Sequence, residues 1–166
     1  MYQIGELIVY GCSGVCRVVD HTELDIEDVK PQLYYVLEPL YQTGTIYCPV
    51  EDPKVFMRPV ISREEAEKII DMIPTVKVNV CHHKTQQLRE YYESVLHAND
   101  CEELVMLTMS IYEKRRQQEA DRQKFGEIDT KYMKLAENIL YGELATALGI
   151  EKDDVPQYIA EKLGKE

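Results

Sequence analysis

Among the residues able to do chemistry, a cysteine–histidine group comes first. Cys81, His82 and His83 are consecutive, with Cys101 or Cys48 as a conceivable fourth zinc ligand. Structural zinc is held by ligand pairs at C-x₂₋₄-C and H-x₃₋₅-H spacing. Here the two histidines are adjacent, so their side chains diverge. Cys12 and Cys16 have a C-x₃-C spacing but no second pair. The pattern predicts ordinary thiols and surface histidines, with no metal or other cofactor. Gly11-Cys12-Ser13-Gly14 lies between two β-type runs, whereas a phosphate cradle opens a helix. It reads as a hairpin turn. There is no G-x-S-x-G elbow and no H-E-x-x-H. The carboxylate pairs Glu64-Glu65 and Glu102-Glu103 fall in the first turns of predicted helices, where capping and the macrodipole account for them. These residues give no catalytic constellation, so the chain reads as a non-enzyme without a small-molecule substrate.

The charged residues say more. Nineteen Lys and Arg against thirty Asp and Glu give a net charge of −11. So acidic a chain repels polyanions at long range and cannot coat DNA or an anionic membrane by bulk attraction. Any nucleic-acid contact must come from a local basic face. One stretch reverses the sign: between 114 and 134 there are seven cations, among them Lys114, Arg115, Arg116, Arg122 and Lys124, against four acids. Lys84 and Arg89 extend the same candidate face. Two readings stay open here, a phosphate-contacting surface and a solvated, self-paired one. The acidic cluster Asp20, Glu23, Asp25, Glu27 and Asp28 reads as a solvated loop or a contact for a basic partner.

The elements that must position these groups divide the chain near residue 62. The 166 residues, 45% apolar and 30% charged, suffice for one ordinary domain or two small ones. No run approaches the roughly 18 apolar residues of a membrane helix. The start of the chain lacks a basic segment and cleavage site, and the five cysteines are scattered and odd in number. A cytoplasmic protein with reduced thiols is expected. Residues 1–61 predict five short strands: Leu7 to Tyr10, Val15 to Val19, Gln32 to Leu37, Thr45 to Cys48 and Lys54 to Arg58. β-branched and aromatic residues dominate each, with Gly or Pro between them. Strands of this number and spacing predict a small twisted barrel or half-barrel. It is near the size limit of an independent core and is expected to lean on the C-terminal part of the chain. Residues 62–166 predict an all-helical domain. Ser62 and Glu65 form a capping box opening a linker helix of about 62–73 that stops at Pro74. Thr75 to Val80 alternates polar and β-branched residues, as an extended linker or short strand does. Further helices are predicted at about 85–97, 100–125, 129–148 and 153–163, with Asp100 and Asp129 as N-caps and Gly126 and Gly149 as breaks. The fold class is α+β.

Taken together, IGELIVYGCSGVCRVV, GTIYCPVEDPKVFMRPVISREEAEKII and KLAENILYGELATALGI resemble the CarD/CdnL family of bacterial RNA polymerase-binding transcription regulators. Its first module is shared with the transcription-repair coupling factor. The resemblance runs over nearly the whole chain, carried by the order and spacing of glycines and apolar positions. It implies a Tudor-like barrel that docks on the RNA polymerase β subunit. It also implies a helical domain that contacts promoter DNA at the upstream edge of the transcription bubble and modulates open-complex stability. The run Thr45, Ile46, Tyr47 and Cys48 matches the family's polymerase-facing strand, with Tyr47 where some members carry Arg. Lys84, Arg89, Lys114, Arg115, Arg116, Arg122 and Lys124 are the expected DNA-contacting residues, in a protein that binds DNA weakly when alone. In one respect the chain departs from the family. Many members wedge a Trp from the second C-terminal helix into the minor groove, and this chain has no Trp. The departure supports an alternative, a protein–protein adaptor of the same fold that makes no DNA contact.

Overall fold

The structure is a computed structural model describing residues 1–164. Five strands come first, β1 (Leu7–Tyr10), β2 (Val15–Leu24), β3 (Gln32–Pro39), β4 (Ile46–Pro49) and β5 (Met57–Pro59). They form one antiparallel sheet in the order β4-β3-β2-β1-β5. β2 is longer than its apolar run suggests. Asp20, His21, Thr22 and Glu23 continue the pairing with β3, beyond a register shift between Val18 and Asp20 that leaves Val19 as an extra residue. The sheet curls around Ile8, Cys16, Val18, Tyr35, Leu37 and Cys48, all buried. Its ends approach closely enough that Cys48 Sγ on β4 lies 3.8 Å from Met57 Sδ on β5. They do not pair, however, so the sheet is open, as in the half-barrel that the strand spacing allows, and no closed barrel is formed. The reason is length: β4 stops at Pro49 and β5 has three residues ending in Pro59, and proline has no N–H to give a ladder.

Five helices come after the sheet: α1 (Arg63–Met72), α2 (Thr85–Ala98), α3 (Cys101–Ala120), α4 (Glu127–Leu148) and α5 (Val155–Lys162). Ser62 Oγ accepts from the Glu65 amide at 3.1 Å, and Asp100 Oδ1 from the Glu103 amide at 3.1 Å, so two of the three expected caps form. α2 ends on Asn99 in the left-handed conformation (φ 52°), one residue before the Asp100 cap. Residues 76–84 have no regular structure. Their one tie to α3 among the side-chain hydrogen bonds runs from the Asn79 amide to Ser110 Oγ. Two boundaries differ from expectation. α3 stops at Ala120, and Arg122 turns left-handed (φ 57°), because the charged sequence beyond Ile111 carries no apolar stripe to hold a longer helix. α4 begins at Glu127 with Gly126 as its N-cap, so Asp129 is not a cap but a buried side chain inside the helix. Leu88, Tyr92 and Leu96 of α2, Leu104, Leu107 and Ile111 of α3, and Ala136, Leu140 and Leu144 of α4 share one core. Among the described residues, no helix is long and apolar enough to cross a membrane.

The sheet is buried on both faces where β1 meets β2. Ile8 and Cys16 face the curl, while their neighbours Val9 and Val15 are buried on the reverse side. There Val15 shares a small cavity with Leu135 and Ile139 of α4. The turn Gly11–Ser13 between the strands is a single 3₁₀ turn, and its Cys12 packs into the helical core. Gly11 must be glycine on two counts: its φ is +45°, and a Cβ would meet Val55 Cγ1 at 2.6 Å.

Candidate functional site

The strand β4 lies at one edge of the sheet, and its sequence decides what that edge presents. Val50 donates to the Leu33 carbonyl at 3.0 Å, which fixes the phase of the ladder. Hydrogen-bonded pairs alternate along an antiparallel ladder, so Tyr35 with Cys48 and Leu37 with Ile46 are the next ones. Tyr47, opposite Val36, therefore aims its N–H and C=O away from β3. Pro49 offers only a carbonyl there. The side chains alternate too. Ile46 and Cys48 face the curl, Cys48 being 1% exposed, while Tyr47 is 53% exposed. Burial pushes the Cys48 thiol up from its ordinary range. Thr45 is exposed and just precedes the strand. Of the four residues expected to face a partner, Tyr47 and Thr45 are placed to do so, and Ile46 and Cys48 hold the strand onto its sheet.

The expected basic face is less concentrated than its sequence. Lys114 is removed from it altogether. Its ammonium is buried, 3.0 Å from Asp129 Oδ2, and Tyr92 donates its phenol proton to Asp129 Oδ1 at 2.5 Å. Arg115 is half-buried, over the Tyr112 ring and 3.8 Å from Met133 Sδ. Arg116 is exposed but paired with Glu113 one turn back, a pairing that raises the guanidinium pKa and lowers that of the carboxyl. Lys84, Arg89, Arg122 and Lys124 are exposed. Arg89 lies near Tyr132, whereas Arg115 meets Met133. Successive helix residues point about 100° apart, so the two arginines sit on different flanks of α4. Besides Arg116, the exposed cations of the expected set lie at the start of α2 and in the α3–α4 connection.

Cys81 is half-buried against the helical core, and His82 and His83 are exposed. Among the described residues, no three His, Cys, Asp or Glu side chains converge on a point where a metal could sit.

A polar cluster that composition and spacing do not single out joins the sheet to the helices. Arg58 of β5 and Glu143 of α4 form a two-pronged pair, Nη1 to Oε2 at 2.5 Å and Nη2 to Oε1 at 2.6 Å. Glu143 is 1% exposed. Its carboxylate also accepts from the Ile61 amide at 3.1 Å and from the Cys101 thiol at 3.1 Å. Arg58 Nε reaches the Asn99 carbonyl at 3.1 Å, and Asn99 Nδ2 reaches the Gly11 carbonyl at 3.2 Å. Burial first, and then the Glu143 charge, push the Cys101 thiol up to about 12. A second contact comes from Tyr41, in the β3–β4 connection. Its ring lies on Gly142, its hydroxyl is 3.3 Å from Thr146 Oγ1, and Lys152 stands over the ring. The available signal was a charge inside each of two apolar runs: Arg58 between Met57 and Pro59, and Glu143 between Gly142 and Leu144.

Residues 2–61, the sheet region with its open β4 edge, match the family model of the CarD-like/TRCF RID domain. No curated protein matches the chain.

Proposed function

We propose that this chain, whose residues 2–61 are a CarD-like/TRCF RID domain and hence an RNA polymerase-interacting module, is an accessory transcription regulator in the bacterial cytoplasm. Residues 1–61 act as a Tudor-like docking unit for the polymerase β subunit. Residues 62–166 act as a helical unit that reaches upstream promoter DNA and alters the lifetime of the open complex. The observation that supports this best is the β4 edge. A strand with an unpaired donor and acceptor at Tyr47 and an exposed side chain beside them can be extended by a partner strand. On the helical side, Lys84, Arg89, Arg122 and Lys124 are exposed and available for phosphates, with Arg115 and Arg116 in the second half of α3.

The test is affinity for an isolated polymerase β fragment. Tyr47→Pro removes the outward N–H and no bond to β3, so the sheet survives while the edge loses its donor. Binding is expected to fall about five- to tenfold, the worth of a hydrogen bond of ~1 kcal/mol. Unchanged affinity places the docking surface elsewhere.

A second reading, a polymerase-bound adaptor without DNA contact, is favoured by two observations: the absence of Trp and the burial of Lys114. Promoter-complex lifetime with and without the protein separates the two readings. The adaptor leaves it unchanged.

A further inference from the structure

We infer that the middle of α4 is a seat that fixes the angle between the sheet and the helices, with Tyr41, Gly142, Arg58 and Glu143 as its positioning residues. Three segments of the sheet region converge on residues 139–146. Gly14, in the β1–β2 turn, comes up against the Ile139 backbone, where a Cβ would be 3.9 Å away. Tyr41, two residues beyond the end of β3, lies on Gly142 and reaches Thr146. Arg58 of β5, and the Ile61 amide just beyond it, bind Glu143. The sheet region therefore holds α4 at two adjacent residues, Gly142 and Glu143, which point about 100° apart. Two grips so arranged oppose rotation of the helix as well as sliding.

The chemistry suits positioning. A guanidinium fork meeting both carboxylate oxygens sets an orientation that a point-charge ammonium would not. The Glu143 carboxylate has further donors in Ile61 and Cys101, so it is held from several directions. Gly142 is what admits the tyrosine ring, since a Cβ there would stand 3.0 Å from Tyr41 Cδ2 and Cε2. Tyr41 is 38% exposed, so it contributes to placement more than to the core.

The consequence rests on the function proposed above. With β4 held by polymerase, a rigid seat presents the helical cations at one distance and angle. A loose joint would spread them over a volume and lower their effective concentration at the DNA.

The experiment compares the full chain with Gly142→Ala and with the double variant Gly142→Ala plus Arg58→Lys. Alanine is a better helix former than glycine, so α4 itself remains intact. Residual dipolar couplings in NMR report orientation without polymerase. In the wild type, sheet and helix amides are expected to share one alignment tensor. In the double variant the two tensors diverge, and the Ile61 amide exchanges faster. Affinity for the β fragment stays within about twofold, while the effect on promoter lifetime falls by about tenfold or more. Tyr41→Phe keeps the ring on Gly142 and is expected to behave as wild type. A shared tensor in the double variant overturns the inference, as does a Tyr41→Phe protein that behaves like Gly142→Ala. A promoter effect that survives diverged tensors also overturns the positioning role. A wild type that never affects promoters removes the functional reading, and the tensors alone then judge the seat.

Discussion

Replacing Asp129 by alanine tests whether Lys114 belongs to the interior or to a nucleic-acid surface. The substitution would leave the Lys114 ammonium, 5% exposed, without its counter-charge. It would also take the acceptor from the Tyr92 phenol, whose pKa is raised well above its ordinary value by burial and then by that hydrogen bond. Breaking a buried pair by removing one partner costs about 3–5 kcal/mol. The lost phenol hydrogen bond, about 1.5–3 kcal/mol when its acceptor is charged, overlaps with that figure and is not added to it. Against a total stability of about 5–15 kcal/mol, such a loss is large. With a urea slope of about 2 kcal/mol/M, the unfolding midpoint should fall by about 2 M. The triple variant Lys114→Met, Asp129→Leu and Tyr92→Phe removes the network while leaving no orphan. Its midpoint should lie near that of the wild type or above it. Because Lys114 faces the core, the triple variant should also keep the promoter effect. A Lys114→Met protein as stable as wild type but inert at promoters would refute the reasoning, since the ammonium would then be working at the surface.

The remaining expectations concern the helical surface and the last helix. Arg115→Glu with Arg116→Glu should reduce the promoter effect while sparing binding to the β fragment, measured by promoter-complex lifetime and by pull-down; loss of both would assign the two arginines to the polymerase face. Lys162, and next Tyr158, hold the Glu67 carboxyl below its usual range by hydrogen bonds, tying α5 to α1. A carboxyl lowered in the folded state stabilises above its unfolded value of about 4.3 and loses that contribution as pH falls through the folded value. Glu67→Gln should therefore be less stable than wild type at pH 7, and the urea midpoints should converge below about pH 4. A gap that stays constant into acid would show that the ion pair is not its cause.

The α+β order was legible because each signal was local. β-branched runs between Gly and Pro marked the strands, and Ser62 with Glu65 and Asp100 with Glu103 marked two helix starts. Tertiary partners decided what was not legible. Asp129 has the residue type and spacing of an N-cap, but Lys114 and Tyr92 claim it from 15 and 37 residues away in the chain, and Gly126 caps instead. Lys114 sat among other cations and read as one of them, because a charge run does not say which member turns inward. β2 extended through Asp20 to Glu23 because β3 supplied a ladder for polar residues to join, which no propensity encodes. Within β4, the β-type alternation was present in sequence, yet only the register with β3 tells that Tyr47 carries the outward backbone groups.

Several of the nineteen cations are already paired. Arg58 is held by Glu143, Lys114 by Asp129, Arg116 by Glu113, and Lys162 by Glu67 and Asp71. The exposed cations at Lys84, Arg89, Arg122 and Lys124 then act within the field of a chain carrying −11. Non-specific affinities for DNA of about 10⁻⁴–10⁻⁶ M, typical of proteins with a basic face, are thus an upper bound on what this surface can reach alone. Docking changes the arithmetic without a new contact. A short tether supplies an effective concentration in the millimolar range, enough to fill a site of about 10⁻⁴ M affinity. The open edge at Tyr47 and the grip on α4 are then parts of one device. On the proposed function, the first sets whether the helices are brought to DNA, and the second sets which face arrives.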